Sequence, residues 1–477
     1  MAIVTQRLGC CHVGKAQYTC RMTDEPAFIL NGEAVTLAGS DPTGSLLRWL
    51  NRHHHHGTKE GCADGDCGAC TVAMVGCDAR GKRQYQAVNS CLLPLGAVVG
   101  REIVSVEGVA DGADLHPVQQ AMVEHSGSQC GYCTPGFVMS LFAGYYAGEL
   151  DDHATEGNLC RCTGYAPIRR ATTQLRADEV RADRFAAALQ ETRRIASTPA
   201  LGGYFNPVDI AEALAFRQEH PGSQWIAGAT DLGVELSRGR NRDGTFISLD
   251  RIDELKQITI DADSITIGAG ASLSRIEQEL AGRIPALDQM LRWFAARQVR
   301  NRATFGGNLG TASPIGDLLP VLLALDGRIE LQGPGGRREI GAADFFTGYR
   351  QTARADDELV VAVHLPRSEW RNASFKVAKR QSDDISIVAA TFVLGLDGDR
   401  RVEHVRLAYG GVAATPVRAR STENFLLGRR LDEETLTRCA QMLHDEFAPL
   451  SDHRASAGYR RALCANLFAR FVAEQLA

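Results

Sequence analysis

No stretch of this sequence approaches the roughly 18 consecutive apolar residues of a membrane-spanning helix, so nothing in it predicts a membrane protein. The opening MAIVTQRLGC also lacks the basic n-region and apolar core of a secretory leader. Basic blocks are missing too, and the net charge of -5 points away from nucleic acid. The expectation is a cytoplasmic protein whose partners are small molecules or proteins, in a reducing compartment where thiols stay free. The dinucleotide fingerprint G-x-G-x-x-G is absent as well: its nearest approach, Gly268-Ala269-Gly270, has no third glycine. Cysteine is not scarce, but beyond Cys162 only Cys439 and Cys464 follow.

What is present is two cysteine quartets of different spacing. Cys62, Cys67, Cys70 and Cys91 lie in GCADGDCGACTV and NSCLLPL, with four, two and twenty residues between successive thiols. That is the plant-type C-x4-C-x2-C spacing with a distant fourth cysteine, which predicts a 2Fe-2S cluster. Cys130, Cys133, Cys160 and Cys162 lie in QCGYCTPGF and NLCRCTGYAPI. They predict a second cluster held between helix ends. Gly61, Gly65 and Gly68 sit where a side chain would crowd the first site. Zinc is the alternative metal, although its sites favour two equal C-x2-C elements, and disulfides would need an oxidising compartment. Cys10, Cys11, Cys20, Cys77, Cys439 and Cys464 fit neither framework. The run His53 to His56 reads as a solvated loop, since four consecutive side chains diverge.

At 477 residues the chain has material for three or four domains, and its patterning changes accordingly. Residues 1–24 show neither alternation nor a helical face and read as a non-native or disordered extension, with Met22 an alternative start. Residues 25–104 contain two strands around Asn31-Gly32, a helix capped by Asp41 or Thr43, the cluster loop and the strand TVAMVG, a β-grasp pattern. Residues 105–175 turn helical and suggest a four-helix cluster domain; residues 176–200 are charged and Ala-rich, a linker with a helical portion. From 201 to 368, strands, glycine turns and helices recur, and 369–477 adds strands with amphipathic helices. The turns Ala227-Gly228-Ala229-Thr230 and Phe305-Gly306-Gly307-Asn308 are candidate pyrophosphate cradles, though an ordinary turn is the alternative for each. After two one-electron sites, a flavin is the natural two-electron converter.

GCADGDCGACTV, QCGYCTPGF, NLCRCTGYAPI and ATFGGNLGTASPIGDLLP together resemble the iron-sulfur and flavin portion of xanthine dehydrogenase, from about residue 25 to the end. The order resembles the small subunit of the two-subunit bacterial enzyme. The resemblance implies a multidomain α+β chain: a β-grasp 2Fe-2S ferredoxin domain, a four-helix 2Fe-2S domain, a vanillyl-alcohol-oxidase-type FAD domain and a C-terminal α/β domain that completes the flavin and NAD sites. It further implies FAD contacts at Trp225, Ile226, Ala227, Gly228, Ala229, Thr230, Asp231 and Leu232, and at Thr304, Phe305, Gly306, Gly307 and Asn308. Phe294 resembles an aromatic beside the flavin, while Asp317, Val360 and Lys376 match further cofactor contacts. For Phe294 the residue pattern alone favours core packing. Asp383, with Asp384 behind it, and Tyr349 match positions near the nicotinamide pocket; a solvated acidic turn is the alternative for Asp383. Lys379, Gln381 and Ser382 depart from the types associated with that loop.

The implied function is a relay. A molybdenum-pterin centre on a separate large subunit, in an α2β2 heterotetramer, would hydroxylate hypoxanthine and xanthine to urate, and electrons would pass through two clusters to FAD and then to NAD. No catalytic residue for hydroxylation is then expected in this chain. The same module of an aldehyde, nicotinate or other N-heterocycle hydroxylase is the alternative within enzymes. A zinc-stapled binding or scaffold protein is the alternative outside them.

Overall fold

The computed structural model describes residues 25–177, 180–191, 200–380 and 382–476. The expected extension at 1–24, with Cys10, Cys11 and Cys20, lies outside the described residues, as does Gln381. Strands β1 (Ala27–Leu30) and β2 (Glu33–Thr36) form a hairpin through Asn31 and Gly32, both at positive φ, as the Asn-Gly signal requires. With β3 (Thr71–Cys77), β4 (Arg83–Asn89) and β5 (Glu102–Val104) they make a mixed five-stranded sheet, order β2-β1-β5-β3-β4. Helix α1 (Leu46–Arg52) buries Leu46, Trp49 and Leu50 against this sheet and turns Leu47 toward Cys70 and Cys91. Its cap is neither Asp41 nor Thr43 but Ser45, whose Oγ accepts from Arg48 N–H at 3.3 Å. Asp41 is committed one turn earlier, accepting both the N–H and the hydroxyl of Thr43.

Helix α2 (Leu95–Val98) belongs to the core of the first unit, and the helical region that follows contains α3 (Pro117–Glu124), α4 (Thr134–Ala147) and α5 (Ala166–Ala177), with 3-10 turns at Val106–Gly108 and Asp152–Thr155. Helix α4 is apolar almost all round, because one side meets α3 and α5 while another covers β3 and β4. The linker's helical portion is α6 (Arg184–Gln190), capped by Asp183. Its Phe185 enters an aromatic cluster with Tyr85, His116, Phe142 and Tyr146, so α6 fastens the two N-terminal units together.

Among the described residues the third unit has two larger sheets besides the short hairpin Phe346–Gly348 and Gln351–Thr352. Strands at Ala200–Leu201, Tyr204–Phe205, Phe246–Ser248 and Gln224–Ile226 make one; the other runs Ile258–Ile260, Ser264–Gly268, Leu359–Pro366, Arg328–Gly333 and Gly336–Gly341. The C-terminal unit is an antiparallel sheet, Arg371–Val377, Val388–Leu396, Val402–Gly410 and Val417–Arg418, against helices Arg420–Leu426, Glu433–Asp445 and Ala457–Leu476.

Arg300 is fully buried where the third unit meets the second, ion-paired to Glu156 at 2.7 Å and to Glu277 at 3.4 Å. Removing the guanidinium leaves the buried Glu156 with His153, at 2.6 Å, as its remaining charge partner. Arg300→Met is expected to lower stability by about 3 kcal/mol or more, read from urea unfolding of the full chain; a loss below about 1 kcal/mol would refute this accounting.

Candidate cluster and flavin sites

Each quartet closes as two sulfur pairs. Cys62 and Cys67 hydrogen-bond side chain to side chain, as do Cys70 and Cys91. In the other quartet Cys130 meets Cys162, and Cys133 meets Cys160. Within a pair one thiol donates and is raised while its partner is lowered: the hydrogen bond from Cys62 brings Cys67 down to about 6. The same sharing lowers Cys70 and raises Cys91. Cys133 rises to about 12, chiefly through burial, whereas the hydroxyl and N–H of Thr163 outweigh the burial cost at Cys160 and lower it. Two thiols per metal atom, twice over, is the donor set of a two-iron cluster; a structural zinc instead gathers four thiolates around one ion. Among the described residues no three His, Cys, Asp or Glu side chains converge on a single point.

The two sites differ in exposure. Cys70 and Cys91 are buried, with Leu47 and Leu92 beside them, while Cys130 and Cys162 lie at the surface among exposed Tyr132, Leu159 and Tyr165. The two loops touch through backbone. Leu159 N–H donates to Cys67 O at 3.0 Å, and a Cβ on Gly68, which has φ +65°, would lie 2.1 Å from Gly157 O. Gly68 is therefore required by the neighbouring domain, not only by a cluster as the sequence suggested.

The third unit's helix Leu232–Ser237 lies over the first site. Val234 packs on Cys70, Cys91 and Leu92; Ser237 Oγ donates to Ala63 O at 2.5 Å; Arg238 pairs with Asp64 at 3.1 Å. The turn preceding that helix is the better anion cradle of the two expected. Among the described residues, the N–H groups of Gly228, Ala229, Thr230 and Asp231 donate to no protein acceptor, and Ala229 has φ +64°. A Cβ on Gly228 would collide with Arg302 O, so the turn fits only with glycine. In the second turn Gly306 N–H already donates to Ala269 O, Gly307 N–H to Thr304 Oγ1 and Asn308 N–H to Thr304 O. Thr304 thus acts there as a helix cap, although Asn308 Oδ1 stays buried without a partner. Trp225 and Ile226 end the strand that leads into the first turn, Asp231 accepts from Thr311 at 3.4 Å, and Leu232 begins the helix.

A second convergence lies at Trp293–Ala295. Phe294 packs on the core cluster that contains Phe305 and Val360. Lys376 Nζ donates to Trp293 O at 2.9 Å and to Asp317 at 2.7 Å, and Asp317 also accepts from Ser386 at 2.5 Å. Asp317 and Lys376 therefore satisfy each other, leaving fewer free valences for a cofactor than the sequence implied. Asp383 N–H donates to Ala295 O at 3.3 Å, which brings it to the same place. It is not a solvated turn residue: its Oδ2 is buried without a partner and its φ is +50°. Burial, then the charge of Asp66, pushes its carboxyl up to about 7 against the pull of Arg380. Arg380 bonds instead to Asp66 at 2.6 Å and to the Asp383 carbonyl. Tyr349 stands apart, exposed on the hairpin Phe346–Gly348 and Gln351–Thr352. Asp384 accepts from Arg380 and Ile385 N–H groups.

Sequence reasoning missed the residues that join domains: Asn158, Gln298, Arg300, and Asp250 with its partners Arg101 and Arg302. Asn158 stands directly before Leu159-Cys160, and Gln298 and Arg300 follow Phe294 within LRWFAARQVRN, but nothing in either run announces a contact with another domain.

Models of four families match consecutive parts of the chain. They are a 2Fe-2S iron-sulfur cluster binding domain at 28–95, a [2Fe-2S] binding domain at 105–173, an FAD binding domain in molybdopterin dehydrogenase at 195–368, and a CO dehydrogenase flavoprotein C-terminal domain at 373–475. Among curated proteins, xanthine dehydrogenase of Emericella nidulans is 32% identical, covering 95% of this chain and 39% of that protein. Xanthine dehydrogenase/oxidase of Mus musculus is 31% identical, over 94% and 39%. The chain thus spans about 39% of the length of these relatives. Among solved structures, a carbon monoxide dehydrogenase from Hydrogenophaga pseudoflava aligns with TM-score 0.53 and 27% identity, covering 56% of this chain and 94% of that one. Quinoline 2-oxidoreductase from Pseudomonas putida gives 0.53 and 26%, with the same coverages.

Asp383 supplies a pH test. A raised carboxyl favours the proton in the fold, so its contribution is neutral below the unfolded value near 4 and increasingly unfavourable as pH rises to about 7. Asp383→Asn is expected to flatten stability across that window, with a gain of up to about 4 kcal/mol at pH 8 and none at pH 4, measured by urea unfolding at both pH values. An equal gain at both would show that the carboxylate is not strained by burial.

Proposed function

The chain carries the iron-sulfur and flavin part of a molybdenum hydroxylase, and from that premise we propose that it is the electron-transfer subunit of a xanthine dehydrogenase. In this reading Cys62, Cys67, Cys70 and Cys91 hold one 2Fe-2S cluster, and Cys130, Cys133, Cys160 and Cys162 hold the other. The turn Ala227–Thr230 takes the FAD pyrophosphate, and Phe294 flanks the flavin. The bound groups supply one-electron exchange at the clusters and two-electron exchange at the flavin. The protein's own part is to hold them close and shielded: Val234, Leu47 and Leu92 keep water from the first site, and Asp383 faces the flavin pocket as a candidate NAD contact.

The observation that carries the order of the relay is the difference in exposure. In the second quartet Cys130 and Cys162 open to the surface among apolar side chains, which suits electron entry from a molybdenum-bearing partner chain; in the first no thiol is exposed, and Cys70 and Cys91 are buried against the flavin unit. The likeness to the xanthine dehydrogenases supports the substrate assignment. The structural likeness to quinoline 2-oxidoreductase supports a second reading, in which the same relay serves another N-heterocycle hydroxylase.

The chain purified alone is expected to show broad visible bands with a flavin shoulder, to oxidise NADH with artificial acceptors, and to leave xanthine untouched. Xanthine turnover by the chain free of molybdenum would overturn the assignment. A colourless protein with stoichiometric zinc would overturn the relay itself.

A further inference from the structure

The polar contact at the meeting point of three domains is built from side chains to which the cysteine spacing assigns no role. Asn158 is buried, at 2% exposure, and all of its amide's contacts cross between elements. Its Nδ2 donates to Gly68 O at 3.0 Å, in the loop between Cys67 and Cys70. Its Oδ1 accepts from Ser140 of α4 at 2.7 Å and from Gln298 of the flavin unit at 3.0 Å. The next residue, Leu159, donates its N–H to Cys67 O, and the one after is Cys160. One hydrogen bond therefore joins the backbone of a thiol in the first quartet to the residue adjoining a thiol in the second.

Resting on the relay reading, we infer that Asn158 is a positioning residue for electron transfer between the two clusters. It fixes the Cys67 C=O to Leu159 N–H contact by gripping Gly68 on one side while Gln298 and Ser140 hold its other end. A side chain that served packing alone would not need to be satisfied at both ends by different domains; an amide that must set a register does. The step it serves moves one electron between clusters, with no bond made or broken and no proton transferred. Gly136 confirms how tight the junction is, since a Cβ there would lie 2.2 Å from Gly68 O.

The test compares the full chain with Asn158→Asp, which replaces the donor facing Gly68 O by an acceptor, with Asn158→Ala, and with Gln298→Leu, which removes the grip from the flavin side. Cluster content is read from electron paramagnetic resonance after dithionite reduction. Hydrogen exchange of the peptide containing Leu159 is expected to speed up by roughly tenfold or more, the factor that one unsatisfied buried partner implies. With electrons introduced at the flavin by light and EDTA, flavin and first-cluster reduction should keep the wild-type rate while second-cluster reduction slows by a similar factor. If Asn158→Asp fails to hold iron, Asn158→Ala and Gln298→Leu decide. Wild-type second-cluster rates in a variant that retains both clusters overturn the inference, as does unchanged exchange at Leu159. Absence of two 2Fe-2S signals from the wild-type protein would instead overturn the relay reading, leaving the exchange result to judge the contact.

Discussion

Close backbone approach between domains is the constraint on which this molecule turns. One-electron carriers are useful only where their loops come together without side chains intervening, and the chain meets that demand at Gly68, where the carbonyl of Gly157 occupies the space of a Cβ. The sheet, the α3–α5 helices and the flavin unit are all oriented around that contact. Leu159 and Asn158 bond to the first loop directly, while Gln298 and Arg300 anchor the same region from the third unit. Burial of polar groups at such a junction is costly unless each is paired, which explains why the interface is a dense network and not an apolar seam.

The segment from Trp293 to Asn308 serves both ends of the molecule at once. Its first residues meet Lys376 and Asp383 beside the expected flavin; its helix Arg297–Arg300 inserts into the cluster domains; its last residues face Gly228 and cap the second glycine turn. A displacement of Phe294 cannot leave Gln298 undisturbed across so few residues. The geometry of the flavin pocket and the spacing of the clusters are consequently set by one stretch of chain.

The sequence disclosed what is local. Cysteine spacing, the Asn31-Gly32 hairpin and the alternation of strands and helices follow from short-range chemistry, and all appear in the structure. Ser45 displaced the expected caps because Asp41 found a nearer partner in Thr43, a competition between adjacent turns that composition alone does not rank. The role of Gly68 was half visible: its conformation could be anticipated, its crowding by another domain could not. Asp317 and Lys376, 59 residues apart, pair with each other, and nothing in either neighbourhood announces it. The burial of Asp383 was hidden for the same reason, since an acidic pair in a polar loop reads as surface until the fold closes over it.

Asp250 is held between Arg101, from the first domain, and Arg302, from the third, and these two charges keep its carboxyl well below the ordinary range despite the cost of burial. The residues that bind the halves together are therefore not interchangeable parts. A flavin half without a carboxylate at this place would leave Arg101 with no charge to meet, so the two halves fit each other through one acid that takes a guanidinium from each.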